Sequence, residues 1–185
     1  MQHVIRCATH AERQNDCYET PAVAVEALLR VERLPHQIWE PAAGRGAVAR
    51  VLESAGHEVI GTDLIDYGAG YLGGVDFLKE RAARAACHVT NPPFKIANEF
   101  VAHALELCPR VVMLLRLAFL ESERRRSILE DVGLAHMHVF RKRLPMMHRA
   151  GWEGRKANSG MAFGWFVWER GHAGPTIISR ISWER

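Results

Sequence analysis

Asn91-Pro92-Pro93-Phe94 brings together the residue types needed to hold a planar amine. The Asn amide accepts N–H bonds, and the flat Phe ring gives a base or amide a face to lie on. Two successive prolines stiffen the backbone and forbid both helix and ladder pairing. The four residues follow a β-like run, Cys87-His88-Val89-Thr90, so they must form a shaped loop at a strand end. Upstream, Glu40-Pro41-Ala42-Ala43-Gly44-Arg45-Gly46 joins a strand to a helix. Glycines there let a ligand approach the backbone, and a helix N-terminus offers free N–H groups. The stretch is not G-x-G-x-x-G and lacks the Lys-Ser/Thr of a phosphate loop, which disfavours a pyrophosphate ligand. Asp63 closes the next strand about twenty residues on, where a carboxylate accepts hydrogen bonds from two ribose hydroxyls. In this order the three features point to a nucleoside-bearing cofactor.

The elements that position these residues alternate. Thr20-Pro21 reads as N-cap and first position of a helix carrying Val23, Ala27, Leu28 and Val31 at helical spacing, closed by Pro35. Gln37 to Glu40 reads as a strand, Ala47 to Ala55 as a helix ended by Gly56, and Glu58 to Asp63 as a second strand. A glycine-rich passage from Gly68 to Gly74 leads to a β-like Val75-Asp76-Phe77-Leu78 and a short helix from about Lys79 to Ala86. After Asn91 a helix is expected from Ile96 to Leu107. The apolar run Val111 to Leu115 then reads as a central strand covered on both faces. Glu121 to Asp131 reads as a charged helix, and Leu134 to Phe140 and Met161 to Trp168 as two further strands. The expected fold is α/β: a doubly wound, Rossmann-like, mostly parallel sheet of about seven strands with a C-terminal antiparallel hairpin at one edge. The whole of 1–185 reads as one domain. An N-terminal segment with the first helix runs to 36, the cofactor and catalytic core spans 37–140, a basic loop fills 141–160, and the last strand and tail occupy 161–185.

Net charge is +3, but it is unevenly spread. Residues 1–109 hold ten Lys/Arg and fourteen Asp/Glu; residues 110–185 hold fourteen and seven. That asymmetry points to a polyanionic partner met by the second half. The segment 141–160 carries Arg141, Lys142, Arg143, His148, Arg149, Arg155 and Lys156 without apolar periodicity, and loops of this length are usually functional or disordered. Its His148, Arg149, Trp152, Arg155 and Lys156 are the candidate nucleic-acid contacts, although the same loop could serve as a lid. Cys7, Cys17, Cys87 and Cys108 form no C-x-x-C pair, and none of the ten histidines belongs to H-E-x-x-H. No disulfide framework and no metal site are expected. The lack of a signal-peptide core and of any run of eighteen apolar residues places the expected location in the cytoplasm, away from membranes.

E-P-A-x-G-x-G, an acidic residue closing the next strand, D-F after the third and N-P-P-F after the fourth resemble S-adenosylmethionine-dependent amino methyltransferases. The order, with a T-P segment ahead of the Gly-rich loop, most resembles small phage-type DNA N6-adenine methyltransferases. The likeness spans roughly residues 16 to 116. It implies S-adenosyl-L-methionine as cofactor and nucleic acid as partner, DNA ahead of RNA. Gly44 and Gly46 would lie under the methionine part, with Glu40, Pro41 and Ala42 beside them. Asp63 and Leu64 would hold the ribose side, and Asp76 with Phe77 would bracket the adenine. Tyr18, Thr20 and Pro21 would close over the methionine end. Asn91, Pro92, Pro93 and Phe94 would form the catalytic loop, with Asn91 also near the cofactor.

The chain departs from that family in length. Fewer than a hundred residues follow N-P-P-F here and most are needed to finish the sheet, so specificity is expected to come from the loop around Arg143 to Lys156 or from very little. N-P-P-F/Y also occurs in methyltransferases of ribosomal RNA and of protein glutamine, and a non-catalytic nucleic-acid-binding module of the same fold is a further alternative.

Overall fold

Short apolar runs alternating with helices close into one sheet, seen in a computed structural model that describes residues 19–145 and 160–184. Its seven strands are β1 (Gln37–Glu40), β2 (Glu58–Gly61), β3 (Cys87–Thr90), β4 (Arg110–Arg116), β5 (Leu134–Phe140), β6 (Phe163–Glu169) and β7 (Ile177–Ile181). They lie in the order β2-β1-β3-β4-β6-β5-β7. All neighbours are parallel except β6, which runs antiparallel to both β4 and β5. The helices are α1 (Ala22–Leu29), α2 (Ala49–Ser54), α3 (Ala97–Leu107) and α4 (Arg126–Glu130).

β4 is buried from Val111 to Leu115, as a strand covered on both faces must be. Successive side chains point to opposite faces. Val112 and Leu114 join α1 and α2 in one core cluster, with Leu28, Ile38 and Leu52. Val111, Met113 and Leu115 join α3 and α4 in the other, with Phe100, Val101 and Ile128. Three buried tryptophans tie layers together, and each indole N–H has an acceptor, as a buried Trp needs. Trp165 donates to the Ala24 carbonyl at 2.9 Å, Trp168 to the Ile128 carbonyl at 2.7 Å, and Trp39 to Thr62 Oγ1 at 2.8 Å.

The expected hairpin is present as β5–β6, but β6 lies inside the sheet, between β4 and β5. The edge is β7, formed by part of the expected tail; its outward Ile177 and Ile178 give it no buried alternation to read. Val75 to Leu78 is not a strand, and no helix spans 79–86. Asp76 caps a single 3-10 turn, Phe77–Lys79, by accepting from Leu78 N–H at 3.2 Å. The helix expected over 121–131 splits into a 3-10 turn, Glu123–Arg125, and the one-turn α4. Thr20 does not cap α1. Pro21 occupies the N-cap position with extended φ and ψ, and the Thr20 hydroxyl is engaged elsewhere.

β1 has β2 on one side and β3 on the other, so the strand order reverses between β1 and β3. In an open α/β sheet the crevice outside the C-terminal strand ends at such a point is where ligands bind. Glu40 closes β1 there, and Asn91 follows β3.

Candidate active site

Between β1 and α2 the chain turns through Gly44 (φ +54°) and Gly46 (φ +83°), backbone conformations that disfavour any side chain with a Cβ. Gly46 has a second reason to be glycine. A Cβ there would lie 2.4 Å from the Tyr71 ring, and one on Gly61 would lie 2.2 Å from it. Tyr71 sits on both glycines and donates its hydroxyl to Glu53 of α2 at 3.1 Å. Close approach at Gly46 is therefore to a ring of the chain's own glycine-rich passage. A lone tyrosine among glycines is the only sequence signal for it.

Gly44 faces the crevice. Its N–H donates to Asp63 Oδ2 at 2.8 Å, while Ile65 N–H donates to Oδ1 at 2.9 Å. The carboxylate at the end of β2 thus fastens the Gly-rich loop to the neighbouring strand end. Burial pushes the Asp63 carboxyl above its ordinary range, and the backbone donors of Ile65, Gly44 and Leu64 pull it back. Glu40 is 2 % exposed. Burial raises its carboxyl well above the usual range, and the nearby Asp63 and Glu53 charges add to this against one bond from Ala49 N–H.

A cavity of about 240 Å³ opens at this point. Of the residues expected from the sequence, it brings together Thr20, Glu40, Ala42, Gly44, Asp63, Leu64, Asn91 and Pro93. Arg45, Tyr67 and Lys95, which the sequence does not single out, also line it, and the Arg45 guanidinium lies 5.5 Å from the Tyr67 ring centre. Pro21, Pro41, Gly46, Asp76, Phe77, Pro92 and Phe94 are not among its lining residues. Phe77 is in the core, packed edge-to-face against Trp39 and His88 and tilted against Phe100. Asp76 pairs with Lys79 at 3.0 Å beside its own capping bond.

Asn91 is tied across seventy-one residues to the start of α1: its Nδ2 donates to Thr20 Oγ1 at 3.0 Å. Thr20 is 6 % exposed, so this bond is shielded from competing water. It commits one edge of the amide and leaves the acceptor role to Oδ1. Pro92 is buried behind the loop. The half-buried Phe94 ring lies 4.2 Å from the Arg116 guanidinium and 5.6 Å from the Phe163 ring.

No protein-family model matches the chain, nor does any curated protein. Solved structures do. A Pyrococcus horikoshii protein put forward as an RNA methyltransferase matches with a TM-score of 0.64 at 18% identity, over 84% of this chain and 87% of that one. A Listeria monocytogenes protein put forward as a class I S-adenosylmethionine-dependent methyltransferase matches at 0.60 with 10% identity, over 89% of this chain. The modification subunit of a proposed type I restriction enzyme from Vibrio vulnificus matches at 0.59 with 15% identity, over 92% of this chain. The chain spans 64% of the Listeria protein and 48% of the Vibrio subunit. The chain has the class I methyltransferase fold.

On this methyltransferase fold the described part of the basic segment shares a neighbour, Phe163, with Phe94 of N-P-P-F. Phe163, next to Phe94, also lines a second cavity of about 720 Å³ with Phe140, Arg141, Lys142, Arg143 and Trp183. Arg141, Lys142 and Arg143 are exposed, and Lys142 pairs with Glu184 at 2.8 Å. Tyr18, His148, Arg149, Trp152, Arg155 and Lys156 lie outside the described residues. Among those described, no helix is long and apolar enough to cross a membrane.

Proposed function

We propose that the chain is an S-adenosyl-L-methionine-dependent N-methyltransferase acting on the exocyclic N6 amine of adenine in DNA. The observation that carries this reading is a single cavity where Asn91 of N-P-P-F meets Gly44 and Asp63 of the cofactor motifs. The donor set fits the cofactor. Glu40 presents a buried carboxyl whose Oε2 has no partner among the described residues, and the ammonium of a methionine end beside it would favour the ionised form. Asp63, already bound to two backbone N–H groups, has acceptor capacity left for ribose hydroxyls. The 63%-exposed Leu64 offers an apolar wall for a purine. Bound there, S-adenosyl-L-methionine supplies an electrophilic methyl group on a sulfonium.

The amine of adenine is a poor nucleophile because its lone pair is delocalised into the ring, so orientation matters more than a strong base. Asn91 Oδ1 and the Pro92 carbonyl accept the two N–H hydrogens and aim the nitrogen lone pair into the cavity. Thr20 keeps the amide from turning its Nδ2 towards the amine. Phe94 stacks on the base through the face turned from Arg116, and the base must be flipped out of a duplex or already single-stranded. The proton leaves to solvent. Arg116 and the exposed Arg141 to Arg143 give the acceptor strand cations to follow, and the same basic segment of the sequence also carries Arg149, Arg155 and Lys156.

RNA is the second acceptor reading, since the positive second half serves either polyanion and one fold neighbour is put forward as an RNA methyltransferase. Transfer of a tritiated methyl group from the labelled cofactor to duplex DNA, single-stranded DNA, RNA and protein tests both. We expect label in DNA, recovered as N6-methyladenine after digestion. Label in RNA or in protein glutamine reassigns the acceptor. No label in any of the four overturns the enzymatic reading and leaves a binding module.

A further inference from the structure

A second set of chemically capable side chains lies at the opposite ends of the strands from the cavity. Glu32 sits in the loop between α1 and β1, Arg110 opens β4, and His136 and His138 sit two apart on β5. Alternation on a strand puts those two imidazoles on one face, 5.8 Å between ring centres. Both reach the same carboxylate oxygen: Glu32 Oε1 lies 2.6 Å from His136 Nδ1 and 2.8 Å from His138 Nε2. The three atoms lie within 4.8 Å of one another, the one such convergence among the described residues.

We propose that Glu32, His136 and His138 form a binding site for a divalent cation of the zinc class. Two imidazole nitrogens and one carboxylate oxygen are the ligand types that zinc accepts with a fourth position left open. Glu32 and His138 are buried, while the His136 side chain is about one-third exposed and marks the way in. The outer contacts are those of a held ligand set. Ser179 Oγ of β7 lies 2.5 Å from His138 Nδ1, and Arg110 Nη2 lies 2.5 Å from the other Glu32 oxygen. If His138 gives its Nδ1–H to Ser179, its Nε2 lone pair faces a carboxylate oxygen at 2.8 Å, and only a proton or a cation between them removes that repulsion. The Arg110 charge is shared with Glu169 at 3.5 Å, which lowers its cost to a nearby dication. The ligands join residues 32, 136 and 138, so an ion here fastens the loop before β1 to the far half of the sheet. Its effect on stability is independent of the methyl-transfer reading, because binding energy at a site absent from the unfolded chain becomes folding energy.

The test is calorimetric and spectroscopic titration of the metal-stripped, tag-free full chain with Zn²⁺ and with Co²⁺. We expect saturation at one equivalent, Co²⁺ bands of tetrahedral intensity, and a Tm that rises with added zinc and falls on chelation. His136→Ala and His138→Ala should each abolish uptake, and Ser179→Ala should weaken it about 10- to 100-fold. X-ray absorption of the zinc-loaded wild-type chain, which needs no variant to fold, should show two imidazoles and a carboxylate oxygen in the metal shell. Absence of saturable uptake, uptake unchanged in both histidine variants, or a shell containing sulfur or a single imidazole would overturn the site in favour of a proton-held cluster.

Discussion

At the scale of single residues, the proposed reaction rests on the orientation of one amide, which Thr20 holds. If Asn91 Oδ1 accepts from the substrate amine, Asn91→Ala should lower methyl transfer by at least about 100-fold, the size of effect expected when a reacting group is left unpositioned. Cofactor affinity, read by equilibrium dialysis, should change little. Transfer unchanged by Asn91→Ala would remove the assigned chemistry altogether. Glu40 gives a prediction with a sign. Its folded-state pKa is raised, so the stability it contributes is intact below the ordinary carboxylate range and is lost as pH rises through the raised value. Glu40→Gln keeps an acceptor for Ala49 N–H without the buried charge. Its Tm relative to wild type should therefore rise with pH in thermal melts between pH 5 and 8, roughly the range where most domains are most stable, while cofactor affinity falls because the ammonium loses its counter-charge. A Tm difference independent of pH would mean that Glu40 is not the buried acid the geometry implies. His88 acts in the other direction. Burial lowers its pKa from 6.5 to about 3, and neither ring nitrogen has a partner among the described residues. The unfolded chain takes up that proton first, so stability should fall as pH drops from 6.5 towards 3. His88→Phe should flatten that part of the pH–stability curve, measured by urea denaturation.

At the scale of elements, the parts of the fold written in local pattern are legible in the sequence and the parts set by tertiary packing are not. β1, β3, β4 and α3 follow from apolar runs and proline or glycine punctuation, and their ends deliver Glu40 and Asn91 to one crevice. Thr20 reads as a helix cap because Thr-Pro has that local chemistry. Its actual partner, Asn91, is seventy-one residues away, and no local pattern encodes such a bond. The strand expected at 75–78 and the helix expected at 79–86 give way to one 3-10 turn, because Asp76 engages Leu78 N–H at once and Phe77 turns into the core. β7 escapes a sequence reading for the opposite reason: Ile177 and Ile178 are exposed and only Ile181 is buried, which leaves no period to detect. The approach of Tyr71 to Gly46 leaves only a tyrosine among glycines as its mark in the sequence, yet it carries a measurable consequence. Gly46→Ala must hold a Cβ at φ +83° and 2.4 Å from a ring. We expect a loss of about 2 kcal/mol or more, a Tm lower by roughly 4–8 °C, and partial recovery in the Gly46→Ala/Tyr71→Ala double variant. Equal losses in the single and double variants would show that backbone strain alone is responsible.

At the scale of the whole molecule, charge is segregated along the chain, with a balance of −4 over residues 1–109 and +7 over residues 110–185. Binding of a nucleic acid should therefore weaken linearly on a log–log plot against salt. Arg141, Lys142 and Arg143 are exposed beside the second cavity. Replacing all three with Ala should flatten that slope by up to about 0.9 for each phosphate of duplex DNA that these cations neutralise. An unchanged slope would place the binding face elsewhere. The reversed strand β6 has a consequence in time. β4 ends at Arg116, but the strand that pairs along its open side starts at Phe163. While that partner is missing, a strand apolar from Val111 to Leu115 presents an unpaired edge, the kind of surface on which chains join one another. Because the pairing is so distant in sequence, closure of the sheet should be slow compared with formation of the β1–β3 half. During synthesis, then, the nascent chain carries a sticky seam until residue 169 has cleared the ribosome.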